Sequence, residues 1–175
     1  MQILDSKKWL LLVSVVSLVA FGVTSSIAQE KIKITGKITA TVTESSAIKI
    51  GDLEGHTFLI SRSEGTSAST GKNQFMDGAL VVNHNFSDLI KGNGSHEGYV
   101  IFSKDGDNVT AAWKGKVTTT ISSGNVPMTT MEGTYTYTKA TFHSENIQGG
   151  GNYKGKYISD KTYVVEWEGE YSAKR

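Results

Sequence analysis

From residue 31 onward, apolar and polar positions alternate with a period of two, the pattern of strands with one dry and one wet face. Residues 31–43 place Ile32, Ile34, Ile38 and Val42 against polar neighbours. Residues 56–64 carry Phe58 and Ile60 on one face with Arg62 and Glu64, and residues 76–86 carry Leu80, Val82, His84 and Phe86. Residues 97–103 carry Tyr99 and Ile101, and residues 109–117 align Val109, Ala111, Trp113, Gly115 and Val117. Residues 131–138 set Gly133, Tyr135 and Tyr137 opposite Glu132, Thr134, Thr136 and Thr138, and residues 152–158 form a further stretch. The last stretch, 162–171, is the clearest: Tyr163, Val165, Trp167, Gly169 and Tyr171 alternate with Glu166, Glu168 and Glu170.

Turn signals separate these stretches: Gly92-Asn93-Gly94, Asp105-Gly106-Asp107, Ser123-Gly124-Asn125, Gly149-Gly150-Gly151 and Ser159-Asp160. Residues 140–147 lack alternation and are expected to form one short helical turn that plugs an end of the fold. Eight or so strands with short turns predict an all-β domain, a single antiparallel up-and-down β-barrel over residues 29–175. Charges alternate outward on the later strands, which speaks against an outer-membrane barrel, whose outward face is apolar. A Gly-x-Tyr triplet recurs at Gly133, Gly151 and Gly169, and glycine there is expected to let a strand bend while tyrosine fills the same face.

The first 28 residues read differently. Lys7 and Lys8 precede an apolar run from Trp9 to Val23, and Ser26-Ile27-Ala28 offers the small residues a signal peptidase reads. A secretion signal cleaved before Gln29 is expected, hence an exported protein of the periplasm or the extracellular space, with no stable membrane insertion after cleavage. An uncleaved N-terminal anchor is the alternative.

Composition then narrows the chemistry. There is no cysteine, so disulfides, thiolate metal sites and a cysteine nucleophile are excluded. Of 18 basic and 17 acidic residues, Lys7, Lys8 and Asp5 belong to the leader, so the remainder is balanced and has no basic footprint for nucleic acid. Neither a phosphate-binding Gly-x-x-x-x-Gly-Lys-Ser/Thr loop nor a Gly-x-Ser-x-Gly elbow is present. His56, His84, His96 and His143 are scattered, so no metal site and no cofactor is expected. Asp105 and Asp107 read as hairpin-tip residues rather than calcium ligands.

The motif order Gly98-Tyr99-Val100-Ile101-Phe102, Lys104-Asp105-Gly106-Asp107, Ala112-Trp113-Lys114-Gly115, Glu132-Gly133-Thr134-Tyr135, Phe142 to Gly151 and Tyr153-Lys154-Gly155 resembles the allene oxide cyclase-like barrel proteins over residues 52–171. That family includes many exported bacterial proteins, and the resemblance implies an eight-stranded antiparallel barrel of calycin-like topology. Its motifs are glycines and turn residues, so it implies a fold and transfers no active site.

A barrel of eight strands holds either its own side chains or one small ligand. The inward face is expected to present Arg62, His84, Tyr99, Trp113, Tyr135, Tyr137, Tyr163 and Trp167, a largely aromatic lining with a few polar groups. Three functions fit. The first is a binding module for a small apolar or amphipathic molecule. The second is a cyclase- or isomerase-type enzyme with Glu64 or His84 as acid or base. The third is an interaction protein with a solid core, meeting a partner or assembling as a homo-oligomer. A lumen filled by its own side chains would remove the first two.

Overall fold

The computed structural model describes residues 30–122, 124, 126–141 and 146–172. Eight antiparallel strands follow one another and close into a barrel: β1 (Ile32–Lys49), β2 (His56–Ser69), β3 (Leu80–Ile90), β4 (Asn93–Lys104), β5 (Asp107–Ile121), β6 (Pro127–Ala140), β7 (Gln148–Tyr157) and β8 (Thr162–Ser172). Every strand pairs with its sequence neighbour, and β8 returns to β1, with Ile32 opposite Tyr171 and Thr41 opposite Thr162. Closure leaves no sheet edge with unpaired backbone groups. Among the described residues no helix is long and apolar enough to cross a membrane.

All eight expected strands are present, most of them longer than expected, and two are displaced. The strand expected at 76–86 runs over Leu80–Ile90, and Gly149-Gly150-Gly151 lies inside β7 instead of forming a turn. A Cβ on Gly151 would sit 1.9 Å from the Glu168 carbonyl oxygen, so β7 and β8 approach there at a distance only glycine permits. The tight hairpins use left-handed backbone: Lys91 and Gly92 have φ of 51° and 77°, and Asp105 and Gly106 have 51° and 87°, the type I′ pattern that matches strand twist. The expected leader (1–28) and the core of the expected helical turn (142–145, including His143) lie outside the described residues.

The two ends of the barrel differ. At one end the β2–β3 loop folds inward. Phe75 packs on Tyr137, Trp167 and Tyr171 with ring centroids 5.6, 6.5 and 4.8 Å away. The Ser69 amide donates to Asp77, the Asn73 amide donates to the Lys33 carbonyl, and Ala79 is fully buried. Ile147 is buried in the same core cluster. This end has a floor. At the other end lie the short turns after β1, β3, β5 and β7, and the lumen is open between them.

Candidate functional site

The lumen is a cavity of about 150 Å³ running from this mouth toward the Phe75 floor. Its lining divides by strand. The later strands supply rings: Trp113 from β5, Tyr135 and Tyr137 from β6, Tyr153 and Tyr157 from β7, Tyr163 and Trp167 from β8. β2 and β3 supply Ser61, Ser63, Asn83, Asn85 and Ser87, with Leu59 and Leu89 toward the mouth. β4 adds His96, Val100 and Phe102. Among the described residues no Asp, Glu, Lys or Arg lines the cavity.

The aromatic half exists because glycines face it. A Cβ at Gly98 would lie 2.7 Å from the Trp113 ring, one at Gly36 would lie 2.1 Å from Trp167, and one at Gly169 would lie 2.5 Å from the Tyr135 hydroxyl. Tyr153 crosses two strands, where Cβ atoms at Gly115 and Gly133 would meet its hydroxyl at 2.5 and 2.6 Å. Two glycines of the Gly-x-Tyr triplets, Gly133 and Gly169, thus make room for rings from neighbouring strands, and the third, Gly151, lets the β7 and β8 backbones approach. The rings meet edge to face, as their quadrupoles prefer: Tyr135 with Tyr137 at 5.5 Å, Trp113 with His96 at 4.8 Å, Tyr153 with Trp113 at 6.0 Å.

The polar half is hydrogen-bonded within itself. The Trp113 indole N–H donates to Asn83 Oδ1 at 2.9 Å, and the Asn83 amide donates to the Tyr163 hydroxyl at 3.1 Å. The Asn85 amide donates to Ser61 and Ser87 at 3.2 and 2.9 Å. Tyr153 Oη and His96 Nε2 share a 2.9 Å bond. Burial without a counter-charge pushes His96 down to about 4, so it is neutral at physiological pH. Burial also raises the Tyr137, Tyr153 and Tyr163 hydroxyls, which stay protonated. Among the described residues the interior is therefore uncharged.

The structure brings Trp113, Tyr135, Tyr137, Tyr163 and Trp167 together in the lumen, as their alternation implied. It corrects the face assigned to β2, β3 and β4. Arg62, Glu64, His84 and Tyr99 point outward, Tyr99 being 52 % exposed, so none lines the lumen. Arg62 lies on the outer wall 2.5 Å from Glu64 and 3.5 Å from Glu44. The physical reason is that β2 and β3 carry Phe58, Ile60, Val82 and Phe86 outside and the small polar Ser61, Ser63, Asn83, Asn85 and Ser87 inside, while on β4 the inward face is His96, Val100 and Phe102. The lumen residues that alternation missed include Ser61, Ser63, Asn83, Asn85, Ser87, His96, Val100, Phe102 and Tyr153. A signal existed: Ser61, Ser63 and Ser67 on one face and Asn83, Asn85 and Ser87 on another are as strictly periodic as the apolar sets.

At the mouth, His56 is held between two carboxylates, Nδ1 to Asp52 at 2.5 Å and Nε2 to Asp88 at 2.7 Å. Hydrogen bonds to Asp88 and Asp52 raise its pKa, and the bond from His56 lowers that of Asp52. Among the described residues no three His, Asp or Glu side chains converge on a metal-sized space.

No family model matches the chain, and no curated protein does. Two solved structures are similar in backbone course. The pterocarpan synthase dirigent protein GePTS1 is 12 % identical with a TM-score of 0.44, covering 87 % of this chain and 94 % of that one. The pterocarpan synthase dirigent protein PsPTS1 is 12 % identical with a TM-score of 0.45, covering 83 % of this chain and 97 % of that one. The allene oxide cyclase-like resemblance rests on the sequence motifs alone.

Proposed function

We propose that this barrel is a binding module that takes one small, uncharged, amphipathic molecule through its open end. The observation that carries this reading is the lumen itself: floored at one end, open at the other, and lined without a formal charge. The volume limits the ligand. A cavity of about 150 Å³ is below the several hundred Å³ of drug-sized pockets but matches the space that holds a benzene-sized molecule. The ligand, or the part of it that enters, is one ring in size. Its apolar face meets the Trp113–Tyr153 side, and its hydrogen-bonding group meets the Ser61–Asn85–Ser87 side. A charged ligand would lose its hydration and find no counter-ion.

Calorimetric titration with phenol, benzene and benzoate tests this. Phenol is expected to bind best, benzene more weakly and benzoate not at all. Val117→Trp, which fills the mouth, is expected to abolish phenol binding while leaving the far-UV spectrum and melting temperature intact. Equal binding by both forms of the protein, or tighter binding of benzoate, would refute the reading. Native mass spectrometry of protein from its own host would identify the natural occupant. We further propose export by the leader at residues 1–28, which N-terminal sequencing of the mature protein checks: it should begin at Gln29.

A further inference from the structure

The outer wall is two-sided in its chemistry. Over β5–β8 the outward side chains include Lys114, Lys116, Glu132, Lys154, Glu166 and Glu168, all exposed. Over β1–β4 an apolar band crosses the strands diagonally. Cross-strand register sets Ile48 opposite Phe58, Ile60 opposite Phe86, and Val82 opposite Ile101. Tyr99 extends the band toward Ala112, its partner on β5, and Leu80 lies at its far end. Exposures are 54 % for Ile48, 42 % for Ile60, 37 % for Phe86, 52 % for Tyr99 and 65 % for Leu80. These five side chains alone present roughly 500 Å² of apolar surface, at the upper end of what a monomer carries in one patch. One partner in a standard interface contributes about 800 Å², of which somewhat more than half is apolar. The band thus has the apolar content of one complete side of a stable interface.

We propose that this band is the contact face between two copies of this chain, packed wall against wall. Closure of the barrel leaves no edge for strand addition, so copies can meet only face to face. A twofold contact places the same residues against each other, so its centre must not carry like charges. The Ile60–Phe86 pair at the middle of the band meets that condition. The charged groups adjoin it: Arg62, paired with Glu44 and Glu64, stands opposite His84 in the next cross-strand row, Glu97 stands opposite Phe86, and Asp88 lies two residues along β3 from it. A membrane surface fits poorly, because anionic headgroups would meet Glu44, Glu64, Asp88 and Glu97. The charged β5–β8 wall stays in water.

Sedimentation velocity on the purified protein from about 1 to 100 µM tests the proposal. The wild type is expected to sediment above monomer mass, and the Ile60→Glu, Phe86→Lys and Tyr99→Glu variants as folded monomers by far-UV spectrum. Lys154→Glu, on the opposite wall, is expected to keep the wild-type mass. The absence of native cysteine permits a positive test. His84→Cys, next to the Ile60–Phe86 pair on the same face, is expected to form a disulfide-linked dimer under mild oxidation, while Lys154→Cys is not. A wild-type monomer at 100 µM overturns the proposal, as do folded band variants that keep the oligomer. Flotation of a monomeric wild type with anionic vesicles would assign the band to a lipid surface and likewise overturn it.

Discussion

Tyr153 reaches His96 only because Gly115 and Gly133 lack a Cβ beneath it. Gly133→Ala would bring a methyl group to 2.1 Å from the Lys114 carbonyl oxygen and 2.6 Å from the Tyr153 hydroxyl. The expected cost is about 1–3 kcal/mol of stability, read as a lower denaturant midpoint. Asn83 joins the two halves of the lumen, holding the Trp113 indole and the Tyr163 hydroxyl. Asn83→Leu leaves the Trp113 indole N–H without its acceptor, while the Tyr163 hydroxyl keeps Ser63, and a loss of about 1–3 kcal/mol is expected in the same measurement. His96 makes the interior pH-sensitive. Its folded pKa of about 4 lies below the ordinary 6.5, so between these values the unfolded chain binds a proton that the folded one refuses. Stability is expected to be full above pH 6.5 and to fall by at most about 2–3 kcal/mol as pH drops to 4. His96→Gln, which cannot titrate, should flatten that part of the pH–stability curve.

At the level of the strand, an apolar period of two names a dry face without saying which side of a barrel is dry. On β5, β6 and β8 the opposite face carries Lys114, Glu132 or Glu166, and charge decides the direction. On β2 and β3 the alternative face carries only Ser61, Ser63, Asn83, Asn85 and Ser87, uncharged groups small enough to bury and able to bond one another. The apolar rule therefore pointed Arg62, Glu64 and His84 inward, where the barrel places a serine–asparagine network, and Tyr99 inward, where β4 places His96, Val100 and Phe102. The strand count and the inward aromatic set were legible because ring-sized residues have few outward solutions beside alternating charges. His96 was not, because a single histidine on a strand carries no periodic signal. The turn after β1 is a separate case. His56, protonated, joins Asp52 of that turn to Asp88 of β3. Because its pKa is raised, this clamp is present below the ordinary histidine value and is lost as pH rises through the raised one. An NMR titration of the imidazole should give a pKa above 6.5, and His56→Ala should increase proteolysis within residues 50–55 at neutral pH.

For the whole molecule, floor and mouth are built from different parts of the chain, so they can be altered separately. Phe75→Ala removes the ring that meets Tyr137, Trp167 and Tyr171. It is expected to lower stability by about 2–3 kcal/mol and to admit ligands larger than phenol. Calorimetry with naphthol before and after the substitution measures this. The band on the β1–β4 wall and the lumen behind it share strands, so a second copy seated outside would stiffen the serine–asparagine side of the pocket without touching a ligand.

The pairing of Ile32 with Tyr171 also sets a clock. The first strand to leave the ribosome must wait for the last, and at about 5–20 residues per second that wait is on the order of ten seconds. During it β1 holds an unpaired ladder and the half-made wall exposes its rings. Folding is then an event that follows synthesis, and a chaperone or a translocation channel has the whole of that interval in which to hold the chain.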